Sequence, residues 1–180
     1  EADRQAVEIR NLDNLVMGSL VRHPVYRAGA LALKVATPFY ARYVPGMRYG
    51  NHVDDPIMGG EHGLYRTDIA ITIFLNDPKA YDGGELAVNT AFGEQKIKLP
   101  AGDAVMYPAS SRHRVTEVTR GERLVAVTWV QSLVRDPARR ELLYELNQVR
   151  ERLLKEAPEA EDTTRINAVY VNLVRMWSEL

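Results

Sequence analysis

There is no cysteine in this 180-residue chain, and that absence removes several chemistries at once. No disulfide can staple the fold, no thiolate can ligate zinc, and no cysteine nucleophile can act. An excess of one charge is also missing. Lys and Arg number 23 against 24 Asp and Glu, a formal net of -1. That balance offers no broad basic field to nucleic acid and no acidic tail to a basic partner. No apolar run reaches the roughly 20 residues needed to cross a bilayer. The opening stretch EADRQAVEIR lacks the apolar core of a signal peptide and starts without Met, so a leading segment is expected to be missing. These absences predict a soluble, cytoplasmic protein.

What is present suits one globular domain with a small appendage, since hydrophobic residues make up 46% and charged ones 26%. Residues 1 to about 35 read as helix: Leu12, Leu15, Val16, Leu20 and Val21 recur at three- and four-residue steps until Pro24 stops the pattern. Residues 36 to about 132 read as short strands broken by turns. DIAITIFLND is rich in β-branched and aromatic residues, YDGGELAV bends at Gly-Gly before a strand, and LPAGDAVMYP repeats that plan. HRVTEV and RLVAVTWV flank TRGE and predict a hairpin. No helical pattern of 10–15 residues separates these strands. The expected architecture is therefore mainly β: an antiparallel barrel or jelly roll with flanking helices.

Residues 133–180 return to helix. Asp136 and Pro137 form an N-cap and first-turn pair ahead of Leu142, Leu143, Leu146, Val149, Leu153 and Leu154. After the break EAPEAED, Asp162 or Thr163 is expected to cap a last helix carrying Ile166, Val169, Tyr170, Leu173 and Trp177. The predicted division is a barrel domain over 1–132 with its N-terminal helix and a helical extension over 133–180. The apolar stripes of that extension serve packing, against the barrel or in a homodimer.

Only four histidines are available as ligands. His52 and Asp54 form an H-x-D pair, and in an extended segment positions i and i+2 share a face. A divalent iron site of two imidazoles and one carboxylate needs a second histidine, and His113 opens a predicted strand in the same β-rich region. His23, before a proline, and His62, in a glycine-flanked loop, read as exposed or capping residues. Arg123 lies ten positions after His113. It is either a solvated strand-end arginine or a planar fork able to grip a carboxylate by paired hydrogen bonds. Asp55, Glu61 and Asp68 read as turn or solvent residues, Asp68 also as support behind a site, and Arg66 as a surface group or one that meets substrate from the barrel mouth. Trp129 and Tyr107 read as barrel core.

In this order, the H-x-D pair, the distal histidine and the arginine resemble the iron(II)/2-oxoglutarate-dependent dioxygenases. Residues 43 to about 145 are similar more specifically to the bacterial PKHD-type hydroxylases, relatives of prolyl and lysyl hydroxylases associated with iron uptake. The stretches that carry the resemblance are RYVPGMRYGNHVDDP, RTDIAITIFLNDP, YDGGELAV, KLPAGDAVMYPASSRHRVTEVTRGER and WVQSLVRD. It implies a double-stranded β-helix that binds Fe(II) through His52, Asp54 and His113. It also implies 2-oxoglutarate and O2 as co-substrates, with Arg123 on the distal carboxylate, Tyr43 adding a hydrogen bond, and L-ascorbate as a possible reductant. The implied reaction is hydroxylation of a substrate C–H bond coupled to release of succinate and CO2. Many relatives have Ser or Thr two residues after the arginine, where this chain has Val125, and Tyr43 is the candidate replacement. Two other readings use the same residues: a cupin-like metalloenzyme without 2-oxoglutarate, and a non-catalytic metal-binding barrel. The substrate is not legible.

If TRGE closed a regular two-residue hairpin, His113 would pair with Thr128 and Arg123 would face away from it. An odd-length loop or a bulge near Gly121 is expected if both enter the barrel.

Overall fold

Two helices lead into four antiparallel sheets, two of them of only two strands. The structure is a computed structural model that describes residues 7–60 and 63–180. Glu61 and His62, read above as loop residues, lie outside the described residues. Helix α1 (Val7–Arg22) ends just before Pro24, and α2 (Pro24–Ala30) begins there. Pro24 therefore starts a second helix rather than stopping the helical region, since a first-turn proline forfeits no hydrogen bond. Helix ends at Leu31, whose φ of 43° is left-handed.

The strands that follow are β1 (Ala32–Val35), β2 (Phe39–Tyr43), β3 (Tyr49–His52), β4 (Ile57–Gly60), β5 (Gly63–Arg66) and β6 (Ile69–Phe74). After a 3-10 turn at Pro78–Ala80 come β7 (Asp82–Gly83), β8 (Leu86–Thr90), β9 (Gly93–Ile97) and β10 (Ala104–Pro108). The last are β11 (His113–Val115), β12 (Val118–Arg120) and β13 (Arg123–Ser132). Residues 32–35 are thus strand where helix was expected, because β1 pairs with the end of β13 from Val130 to Ser132. Every strand pairing is antiparallel.

One sheet runs β10-β6-β13, with β1 and β2 both paired to β13. A second runs β3-β11-β8-β9. Together they form the jelly roll. Strand β6 shows why: all six of its residues are buried, and alternation splits them between two cores. Ile69, Ile71 and Ile73 meet Val16, Leu20, Tyr26 and Ala30 of the helices on the outer face. Ala70 joins Leu86, Val88 and Tyr107 between the sheets. Each of those fully buried aliphatic side chains contributes roughly 1.5–3 kcal/mol.

The expected hairpin at TRGE does not form. Strand β11 pairs with β3 and β8, β12 pairs with β7, and β13 belongs to the other sheet. The chain crosses between sheets at Gly121, where φ is 70° and a Cβ would lie 2.1 Å from the Ala80 carbonyl oxygen. A register shift does occur just before it, between Val118 and Arg120. The facing problem posed by a hairpin disappears, because His113 and Arg123 enter the barrel from different sheets.

Helices α3 (Pro137–Glu156) and α4 (Glu161–Trp177) complete the chain. Asp136 caps α3 as expected, accepting from Ala138 N at 2.8 Å. The α4 cap differs: Ala160 holds the cap position without a side-chain bond, and the buried Thr163 donates to Ala157 O at 2.6 Å. Arg150 ties the two helices, donating to Asn167 Oδ1 at 2.7 Å.

Candidate metal and anion site

His52 ends β3 and His113 begins β11, and the strand register sets them directly opposite each other. Their ring centroids lie 4.1 Å apart. Each Nδ1 sits 2.9 Å from a carbonyl two residues back, Gly50 for His52 and Ser111 for His113. A carbonyl only accepts, so each Nδ1 carries the proton and each Nε2 keeps its lone pair free. Both Nε2 atoms face the same oxygen, Asp54 Oδ1, at 3.7 Å and 3.8 Å. Those separations are too long for hydrogen bonds. The second oxygen, Asp54 Oδ2, is buried with no partner. An unpaired buried carboxylate beside two aligned lone pairs fits a cation in their midst, and two imidazoles with one carboxylate suit divalent iron.

His52 and Asp54 do come together, but not through strand alternation. Strand β3 ends at His52, so Asp54 is placed by the turn that follows rather than by strand alternation. Thr67 pins that turn, its hydroxyl donating to Asp55 O and its N–H to Pro56 O.

A cavity of about 510 Å³ between the sheets contains this cluster together with Arg123 and Tyr43. Arg123 is only 1% exposed. Its strand partner is Tyr43, and the guanidinium lies 5.1 Å from the Tyr43 ring centroid and 5.8 Å from that of Phe74. Its Nε is buried without an acceptor, and no carboxylate pairs with it among the described residues. Burial pulls the guanidinium down from its ordinary range, against the opposing pull of Tyr43, Tyr81 and Tyr107. Burial likewise pushes the Tyr43 phenol up, with Arg123 opposing. A buried cation without a counter-charge costs several kcal/mol, and a bound anion would recover much of that. Val125, two residues on, is buried and apolar.

Several side chains stand apart from their expected places. Asp55, read as a turn residue, is exposed but lines the cavity. Trp129 and Tyr107 belong to the core between the sheets, as read, and line the cavity as well, with the Tyr107 ring 5.1 Å from that of His113. Burial pushes the Tyr107 phenol far up, and the Asp54 charge adds to this. Tyr81 was not singled out at all, yet its hydroxyl is buried without a partner and its ring neighbours the Arg123 stem across Gly84. Nothing in its stretch, KAYDGG, marks it. Arg66 and Asp68 belong elsewhere: Arg66 Nε donates to Asp68 at 2.7 Å, and Asp68 also accepts from Ser132 N at 2.9 Å. His23 is exposed at the start of α2, as read.

Comparison with known proteins agrees with this geometry. Residues 38–131 match the 2OG-Fe(II) oxygenase superfamily, and residues 137–179 match the PKHD-type hydroxylase C-terminal domain. A PKHD-type hydroxylase of Thioalkalivibrio sulfidiphilus is 56% identical over 180 residues, covering 100% of this chain and 80% of that one. One from Hyphomonas neptunium is 45% identical over 179 residues, covering 97% and 78%. Among solved structures, a prolyl hydroxylase from Trichoplax adhaerens, in complex with a hypoxia inducible factor peptide fragment, aligns with a TM-score of 0.50. That alignment has 18% identity and covers 80% of this chain and 62% of that one, a likeness of fold alone.

Proposed function

The chain belongs to the PKHD-type hydroxylases, oxidoreductases with a 2OG-Fe(II) oxygenase domain, and on that premise we propose its cofactors and the residues that hold them. His52, Asp54 and His113 would ligate Fe(II), and Arg123 would bind the distal carboxylate of 2-oxoglutarate. When bound, this pair supplies the oxygen chemistry that couples decarboxylation to succinate and CO2 with hydroxylation of a substrate C–H bond. In this reading residues 1–132 form the catalytic barrel and 133–180 a helical extension.

The observation that carries the proposal is Arg123, a buried cation sharing one cavity with the three-residue cluster and facing no carboxylate among the described residues. A cupin-like enzyme without a dicarboxylate co-substrate would have no use for that charge. The other residues have defined parts. The Gly50 and Ser111 carbonyls fix the tautomer of each imidazole and aim its Nε2. The aromatic ring of Tyr43 flanks the guanidinium and restricts how it can turn toward a carboxylate. Phe74 and Val125 keep water from the charged fork, which strengthens its paired hydrogen bonds.

Succinate formation tests this directly. Purified protein given Fe(II) and 2-oxoglutarate in air should release succinate slowly even without a primary substrate. Arg123→Ala should restore release only at much higher 2-oxoglutarate, and His113→Ala at no concentration. Equal rates in all three proteins would remove the proposal.

A further inference from the structure

Among the described residues, five side chains lining the cavity can carry charge at neutral pH: His52, Asp54, His113, Arg123 and Asp55. The hydroxylase reading uses the first four and leaves Asp55 idle. Its carboxylate makes no hydrogen bond or ion pair with the described residues, although its own carbonyl is fixed by the Thr67 hydroxyl. The backbone is thus anchored while the side chain is free to receive a ligand.

Charge bookkeeping makes that carboxylate conspicuous. With the site loaded as proposed above, Asp54 and the two carboxylates of 2-oxoglutarate together offset the divalent ion and the Arg123 guanidinium. The imidazoles are neutral. Among the described residues Asp55 is then the uncompensated charge of the cavity, exposed at its opening. Its surroundings at the opening are apolar. Phe39, Tyr49 and Val53 line the same cavity and remain exposed, which makes them the mouth through which substrate enters. The Tyr49 ring stands edge-on to His52, with centroids 4.5 Å apart, so this mouth opens directly beside the metal cluster.

We propose that Asp55 selects substrates that carry a protonated amine or a guanidinium at the end of an apolar stem. The cation pairs with Asp55, and the stem lies along Phe39 and Val53, which brings its C–H bonds beside His52 and Asp54. The charge balance and the fate of those bonds rest on the hydroxylase reading, while the contact between the cation and Asp55 is read separately, as heat of binding. A neutral stem of the same length would bury the same apolar surface and gain nothing from Asp55. An anionic one would be repelled.

Calorimetry on the anaerobic protein loaded with Fe(II) and 2-oxoglutarate tests this with hexylammonium, hexanol and hexanoate as probes. Hexylammonium should bind most tightly, and Asp55→Asn should weaken it roughly tenfold while leaving hexanol unchanged. Asp55→Glu, which restores the charge, should recover most of the affinity, so that a misfolded variant cannot pass for a lost contact. A lysine tripeptide blocked at both ends identifies the source of the cation. Tighter binding than hexylammonium assigns it to a polypeptide and weaker binding to a small molecule, and both uphold the proposal. Equal affinity for hexanol and hexylammonium, or no effect of Asp55→Asn, would overturn it. Because heat rather than turnover is read, amine binding without succinate formation would sink the hydroxylase reading alone. Succinate formation without cation preference would sink only this proposal.

Discussion

Across the β3–β11 pair, His52 and His113 stand opposite each other with ring centroids 4.1 Å apart and turn both Nε2 atoms toward one oxygen of Asp54. That arrangement leaves Asp54 Oδ2 buried and unpaired, a cost usually tolerated only where a ligand recovers it. Removing either imidazole should lower Fe(II) affinity by at least about 100-fold, beyond the 10–100-fold typical of a lost supporting bond. Iron retained after dialysis, measured against protein, checks this.

Arg123 carries the opposite expectation for stability. Replacing a buried, uncompensated guanidinium by an apolar side chain of similar length relieves desolvation. Arg123→Met should stabilise the metal-free protein by about 1–3 kcal/mol while severely weakening 2-oxoglutarate binding. Urea unfolding and a calorimetric titration read the two effects. A less stable variant would show that the cation is satisfied within the fold.

Gly121 is a third point of test. Its φ of 70° and the 2.1 Å approach of a built Cβ to Ala80 O leave no room for a side chain. Gly121→Ala should cost more than about 2 kcal/mol and should weaken 2-oxoglutarate binding as well, since it displaces the start of β13 two residues before Arg123. A thermal melt paired with the same titration checks both.

Those three sites differ in how much of them could be read from the sequence. The strands announced themselves through β-branched runs such as DIAITIF, and the candidate ligands through histidine scarcity. Family likeness supplied the role of Arg123. The error lay in pairing. HRVTEV and RLVAVTWV are neighbours in sequence, and TRGE has the residues of a hairpin turn, so local rules joined them. The outcome was set by distant partners, because β11 closes against β3 and β8 while β13 closes against β6. Asp55 was read as a turn or solvent residue for a similar reason: Asp in a proline-flanked turn is ordinary, and only the closed barrel shows that this one lines the cavity.

Arg66 and Asp68 join the barrel to the C-terminal tail. Arg66 holds the nearly buried Asp68 at 2.7 Å and reaches the exposed Glu179 at 3.3 Å. Arg66→Ala strands a buried carboxylate and should cost about 3 kcal/mol or more. Glu179→Ala removes an exposed pair and should cost under about 1 kcal/mol. Chemical denaturation of the two variants side by side measures the difference, and equal costs would contradict this division.

The most direct measurement is an anaerobic titration of metal-free protein with Fe(II) and then with 2-oxoglutarate, followed by visible absorption. The account predicts a weak charge-transfer band when the 2-oxo acid is added, lost in His113→Ala and demanding far more 2-oxoglutarate in Arg123→Ala. Iron binding without any band would contradict a 2-oxoglutarate site, and no iron binding would contradict the metal site itself.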